Sequence, residues 1–236
     1  MACESLGVPD ELPNKTPIET SDRCEGRTLR PYAELATKIA SMALTPMGRW
    51  LVAVDGCGGS GKSTFAQRLT EELTRAGLHT VTVPVDDFYR PPGSEGPEPE
   101  GLFDLARLKR EVIDPYLSGK PVSYRPFDWE TGIISPDTRR VGSPSVLVVE
   151  GVFATSPLLG GQHSFSVWVA APRALRLSRG VERDGEAWRK TWTDVWMPRE
   201  DRYFERTRPD LRADLVVDAG QPSSPGVFCC KQVRNI

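Results

Sequence analysis

Residues 51–64, LVAVDGCGGSGKST, constrain the fold of this chain more than any other stretch. Leu51, Val52, Ala53 and Val54 form a short apolar run of the kind that fills a strand buried on both faces. The run stops at a glycine-rich loop in which Gly56, Gly61, Lys62 and Ser63 fit G-x-x-x-x-G-K-[ST]. In that pattern unhindered backbone N–H groups wrap phosphates, the lysine reaches the outer ones and the hydroxyl meets Mg²⁺. Phe65, Leu69, Leu73 and Ala76 then recur at helical spacing before Gly77, so the loop feeds a helix N-terminus, where the dipole favours an anion. A plain glycine turn between strand and helix would not need this context on both sides. The expected nucleotide cradle is therefore Gly56, Gly58, Gly59, Ser60, Gly61, Lys62, Ser63 and Thr64.

The chain is long enough, at 236 residues with 39% hydrophobic content, to bury a full α/β core as one domain. A formal net charge of -2, with acidic and basic residues interleaved, gives no general attraction to nucleic acid or to an anionic membrane. Small molecules are the expected partners. No run approaches the roughly 18 apolar residues of a membrane helix, and residues 1–20 lack the charged-then-apolar order of a signal peptide, so a cytoplasmic protein is expected. The five cysteines, without a C-x-x-C pair, read as free thiols. Cys57, inside the phosphate loop, is either a reactive thiol or a small filler, and the filler suits it better.

Along the chain, residues 1–28 are polar and proline-punctuated and read as a disordered leader, residues 29–220 as a single domain, and residues 221–236 as a disordered tail without periodicity. Residues 32–47 carry a modest helical stripe. Further strands are expected at about 80–85, 146–149, 165–170 and 214–218, alternating with helices from Asp104, from Pro172 and over about 186–204. Residues 90–101, RPPGSEGPEPEG, cannot be regular structure and form a candidate mobile lid or substrate loop. Residues 122–141 suggest a hairpin over the site, with aromatics that either meet substrate or cover the core. Trp188, Trp192 and Trp196, four apart, read as packing. The predicted architecture is a three-layer α/β sandwich of the P-loop NTPase kind.

Ser63, Asp86 and Glu150 fall at the carboxyl ends of three expected strands, where open α/β sheets place ligands. Together they supply a hydroxyl and two carboxylates for one Mg²⁺, which takes oxygen ligands and keeps several waters. Phosphoryl transfer further requires an aligned hydroxyl, a cation clamp and a base within reach. Asp86 is the candidate base, with Asp87 as the alternative because adjacent strand-end residues point to opposite sides. Lys62 with Arg179 and Arg183, four apart on one helix face, is the candidate clamp. Arg176 and Arg189 are near enough to replace either arginine.

The runs GCGGSGKST, VDDFYRP, FDLARLKREVIDPYLSGKPVSY, VLVVEG and RLSRGVERDG, in that order, resemble the uridine kinase-like P-loop kinases, a group that includes phosphoribulokinase and bacterial pantothenate kinase. The resemblance spans about residues 51–218. It implies a five-stranded parallel sheet flanked by helices, ATP and Mg²⁺ as cofactors, Asp86 as catalytic aspartate, Ser63 and Glu150 near the metal, and an arginine-bearing lid. It also implies a small-molecule hydroxyl acceptor near Asp86, Tyr89, Tyr124 and Trp129. A uridine- or cytidine-like nucleoside is the first expectation. The Asp-His-Pro element with which uridine-cytidine kinases grip the sugar is replaced here by EPEGLFD, and Trp129 stands where they place a base-reading histidine. A sugar, a pantothenate-like alcohol or an antibiotic therefore stays open as acceptor. The competing class, a nucleotide switch or non-catalytic regulator, is disfavoured for GTP, because the only asparagines, Asn14 and Asn235, cannot form Asn-Lys-x-Asp. The sequence leaves the oligomeric state open.

Overall fold

The computed structural model describes residues 27–43, 49–221 and 223–234. The strands are β1 (Thr28–Pro31), β2 (Trp50–Asp55), β3 (Thr80–Pro84), β4 (Val146–Gly151), β5 (Phe165–Ala170), β6 (Leu215–Asp218) and β7 (Val227–Val233). They form one seven-stranded sheet in the order β1-β7-β6-β5-β2-β4-β3. The five strands from β6 to β3 are all parallel, as expected. The two further strands are antiparallel, β7 pairing with β6 on one side and with β1 on the other.

Alternation along β2 shows why its apolar run is unbroken. Val52 and Val54 point into a core with Leu35, Ile39, Phe65 and Leu69 from α1 (Tyr32–Ala43) and α2 (Lys62–Arg75). Leu51 and Ala53 point to the opposite core, with Leu105, Leu108 and Tyr116 from the helical segment 105–117, which we label α3. Each face of the sheet is thus covered, as parallel sheets require. α4 (Arg173–Asp184) packs on α5, over residues 189–207 with a π turn at Trp192–Trp196, through Val181, Trp192 and Met197, and α5 adds Tyr203 and Phe204 to the second side. Asp104 caps α3 by accepting from the Arg107 amide at 3.0 Å. No helix among the described residues is long and apolar enough to cross a membrane.

Two expectations change. The segment 221–236, expected to be a disordered tail, contributes β7 from inside the sheet. Its Phe228 is buried between Tyr32 and Phe65, with ring centroids at 5.1 and 5.4 Å. The proline-rich stretch 90–101, expected as a candidate mobile lid or substrate loop, is tied down rather than loose. Arg199 and Arg202 of α5 both pair with Glu98, and Arg206 pairs with the buried Glu100 at 2.6 Å. Ser156 also donates to Glu100, at 3.1 Å. Residues 1–26 of the expected leader lie outside the described residues.

Because Phe228 closes an aromatic cluster between β7, α1 and α2, Phe228→Ala should lower unfolding stability by about 3–5 kcal/mol. Urea denaturation followed by circular dichroism measures it, and an unchanged midpoint would show that the strand is dispensable.

Candidate active site

The register of the parallel strands gathers the candidate residues at one edge. Glu150 of β4 lies level with Val54 of β2 and with Pro84 of β3. Asp55 ends β2, and the chain then enters the loop 56–61. Gly59 and Gly61 hold φ of 73° and 93°, in the left-handed region that glycine adopts without strain. A Cβ at Gly59 would stand 2.2 Å from the Arg176 carbonyl oxygen, so the close approach of loop and α4 also demands glycine. α2 begins at Lys62 with no side-chain cap, which leaves first-turn N–H groups for an anion. The Ser60 hydroxyl is buried without a hydrogen-bond partner among the described residues.

Two buried carboxylates hold this loop, and sequence reasoning singled out neither. Asp55 accepts from the amides of Gly56, Phe153 and Thr155 at 2.7, 3.1 and 2.9 Å. It also accepts from the hydroxyls of Thr155 and Tyr203 at 2.6 and 2.7 Å. Glu200 of α5 accepts from the Gly58 amide at 2.9 Å and pairs with Arg176 at 2.8 Å. Burial pushes the Glu200 carboxyl above the usual range, opposed by Arg176 and by the Gly58 amide. Asp55 could have been found as the acidic end of β2, the strand that precedes the loop. Glu200 carries no local signal, because its partners lie 142 residues away at Gly58 and 24 away at Arg176.

A cavity of about 400 Å³ opens over the loop and brings Lys62, Ser63, Asp86, Tyr89, Trp129 and Arg183 onto one lining. Asp86 sits in a 3₁₀ turn, Val85–Phe88, rather than at a strand end. The Ser63 hydroxyl donates to Glu150 at 3.1 Å. Glu150 is almost wholly buried, and desolvation raises its carboxyl, with Asp86 adding to the rise and Lys62 opposing it. A hydroxyl beside a desolvated carboxylate, with a second carboxylate near, fits a hard cation that keeps waters and phosphate oxygens. Among the described residues no three His, Cys, Asp or Glu side chains form a complete metal cage, so phosphates would have to finish the shell.

The remaining candidates divide. Tyr124 is not on this lining: it is buried and donates to Asp87 at 2.6 Å, while Arg139 pairs with the same carboxylate. Burial raises the Asp87 carboxyl and the Tyr124 hydroxyl, so that pair braces the hairpin beneath Phe88. Arg179 does not join Arg183. It donates to the Ala219 carbonyl at 3.0 Å and lines a second cavity, of about 310 Å³, with Gly61, Thr64 and Asp218. Arg176 is committed to Glu200 and Arg189 to Glu186. Cys57 is buried, and burial pushes its thiol up, which makes it an inert filler. The tryptophan stripe does more than pack: Trp192 is buried, whereas Trp188 and Trp196 line the cavity with it. Their four-residue spacing was visible, but the cavity it faces was not.

A parallel sheet with a glycine loop after its central strand, helices on both faces and this cluster beside the loop defines a P-loop kinase fold. No family model matches the chain. In sequence it is similar to the uridine kinase of Halobacterium salinarum, 23% identical over 187 residues that cover 73% of this chain and 81% of the relative. The uridine kinase of Staphylococcus epidermidis is 25% identical, over 72% of this chain and 87% of that one. In fold it is similar to a structure described as a possible uridine kinase from Bacillus stearothermophilus, with a TM-score of 0.62 and 22% identity, covering 78% of this chain and 96% of that one. These likenesses support a small-molecule kinase of the uridine kinase-like P-loop group.

The buried Glu150 gives a pH signature. Its carboxyl is raised in the fold, so its stabilising contribution is present below the unfolded value of 4.5 and is lost as pH rises through the folded value. Glu150→Gln should therefore raise the melting temperature of the nucleotide-free protein at pH 7 and lose that advantage towards pH 4.5. Thermal melts across this range check it; a gain that persists at the acid end would point to another cause.

Proposed function

We propose that this chain is an ATP-dependent kinase that transfers the γ-phosphoryl group to a hydroxyl of a small molecule, a uridine- or cytidine-like nucleoside first. A sugar, pantothenate-like alcohol or antibiotic is the alternative acceptor. The observation that carries the reading is the convergence of Lys62, Ser63, Asp86 and Arg183 on one cavity at the phosphate loop. The likeness to uridine kinases adds the nucleoside preference.

The loop amides and Lys62 would cradle the β- and γ-phosphates, and the second cavity, on the other flank of Gly61, is open to the nucleoside end of ATP. Ser63 and Glu150, with Asp86 near, would hold Mg²⁺, which supplies charge neutralisation along the phosphates when bound. Asp86 then accepts the proton of the acceptor hydroxyl. Its carboxylate has no hydrogen-bond partner among the described residues, whereas Asp87 is held by Tyr124 and Arg139, which favours Asp86 as the base. Lys62 and Arg183 offset the charge that spreads over the moving phosphoryl oxygens. The aromatic lining keeps water from competing as acceptor.

Removal of the base should separate chemistry from binding. Asp86→Ala is expected to lower kcat by about 10²–10⁴ while ATP still binds. Coupled ADP-release assays over nucleosides, sugars and pantothenate-like alcohols, with ATP titrated by calorimetry, measure both. Turnover unchanged in the variant would remove Asp86 from the mechanism, and ADP release indifferent to every acceptor would favour a regulator. Lys62→Ala should weaken ATP binding itself.

A further inference from the structure

The wall of the acceptor cavity opposite the phosphate loop is built of indole and phenol rings. Trp129, on the hairpin that follows Phe127, packs on Tyr89 with ring centroids 4.6 Å apart. Trp188 stacks on Trp196 at 5.5 Å and an interplanar angle of 14°. The Trp196 indole N–H donates to the Tyr89 hydroxyl at 3.2 Å, which ties the two stacks into one wall. Trp129 and Trp188 nevertheless remain 49% and 43% exposed, and both line the same cavity that holds Asp86. Half-exposed indoles on a concave surface beside a candidate base offer flat faces for a flat ligand.

Most of the charged side chains beside these rings have partners among the described residues. Asp184 accepts from Arg183 at 2.7 and 3.0 Å and from the Trp192 indole N–H at 3.0 Å. Glu200 is taken by the Gly58 amide and Arg176. Arg199 gives one Nη to Glu98 at 3.2 Å, and its other Nη is buried, closed off from the cavity, without a hydrogen-bond partner among the described residues. Asp86 and Lys62 lie on the floor with Ser63, whose hydroxyl donates to Glu150, and that is where the phosphates and the reacting hydroxyl belong. The wall therefore has faces to offer and few free donors or acceptors with which to read the edge of a ring.

We infer that the acceptor is an alcohol carried on a planar aromatic ring that this wall recognises by its faces rather than by hydrogen bonds to its edge, so that the ring need not be a pyrimidine. The inference rests on the kinase reading above and deepens it. In the transfer, the acceptor hydroxyl oxygen forms a bond to the γ-phosphorus of ATP and gives its proton to Asp86. The bond from that phosphorus to the β,γ-bridging oxygen breaks, and its electron pair leaves with ADP.

Three acceptors that share a ribose separate the possibilities: uridine, 1-phenyl-riboside, whose ring has no polar edge, and ribose itself. Each is offered with ATP and Mg²⁺ to the full chain, and ADP release and the mass of the product are followed. The expected result is that phenyl-riboside is phosphorylated with kcat/KM within about fivefold of uridine, and that ribose falls about tenfold or more below both. A site that reads the base edge would instead reject phenyl-riboside by about 10⁴-fold, and that result would overturn the inference while leaving a nucleoside kinase. Ribose turned over as well as the ring-bearing acceptors would overturn it while leaving a sugar kinase. Absence of product with all three and with the wider acceptor panel would remove the kinase reading and the inference together. Trp129→Ala and Trp188→Ala, at half-exposed positions, should each raise KM for phenyl-riboside about tenfold with kcat little changed, and the Trp→Phe variants should recover most of the loss. Variants that melt like the parent yet leave KM unmoved would show that the rings do not hold the acceptor.

Discussion

The phosphate loop is clamped by carboxylates that burial would otherwise penalise. Asp55 gathers three amides and two hydroxyls on the sheet side, and Glu200 takes the Gly58 amide and the Arg176 guanidinium on the helix side. A buried carboxylate is tolerated only when its lone pairs are filled, and removal of one partner from a buried pair costs about 3–5 kcal/mol. The position of the loop is therefore coupled to that of α4, α5 and the turn after β4. The same coupling fixes the tryptophans, since Trp192 packs so close that a Cβ at Gly58 or Gly180 would stand 2.7 or 2.5 Å from its ring.

With the loop held, its two flanks face different cavities. One carries Lys62, Ser63, Asp86 and the aromatic wall; the other carries Thr64, Arg179 and Asp218. Arg179 and Arg183 illustrate it: one helical turn apart, they serve opposite sides of the loop. The α5 arginines 199, 202 and 206 hold the proline-rich segment against that helix through two carboxylates, Glu98 and Glu100.

Much of the fold was legible in the chain because buried parallel strands leave a strong signature. Four-residue apolar runs ending in acid and glycine gave β2 and β4 nearly to the residue, the run before Pro172 gave β5, and the glycine pattern after β2 marked the loop. Strand β7 was not legible. Its residues VFCCKQV have neither a clean alternation nor a continuous apolar run, and they are strand only because β6 and β1 offer open edges. The sequence pattern also singled out Lys62 and Ser63, which open α2, Asp86, in the turn after β3, and Glu150, near the end of β4, and the fold brings them to one edge of the sheet. It overestimated Tyr124, whose ring faces Phe88 and whose hydroxyl is spent on Asp87.

By itself, then, the sequence determined the strand–loop–helix unit, the parallel core and the acids at its carboxyl edge, because those depend on residues close together in the chain. Only the tertiary structure decided which arginine enters the cavity, that Glu200 braces the loop, and that the tryptophan stripe lines the cavity over the loop. These contacts join segments from about 20 to more than 140 residues apart, and their energies come from burial and pairing that no local pattern records.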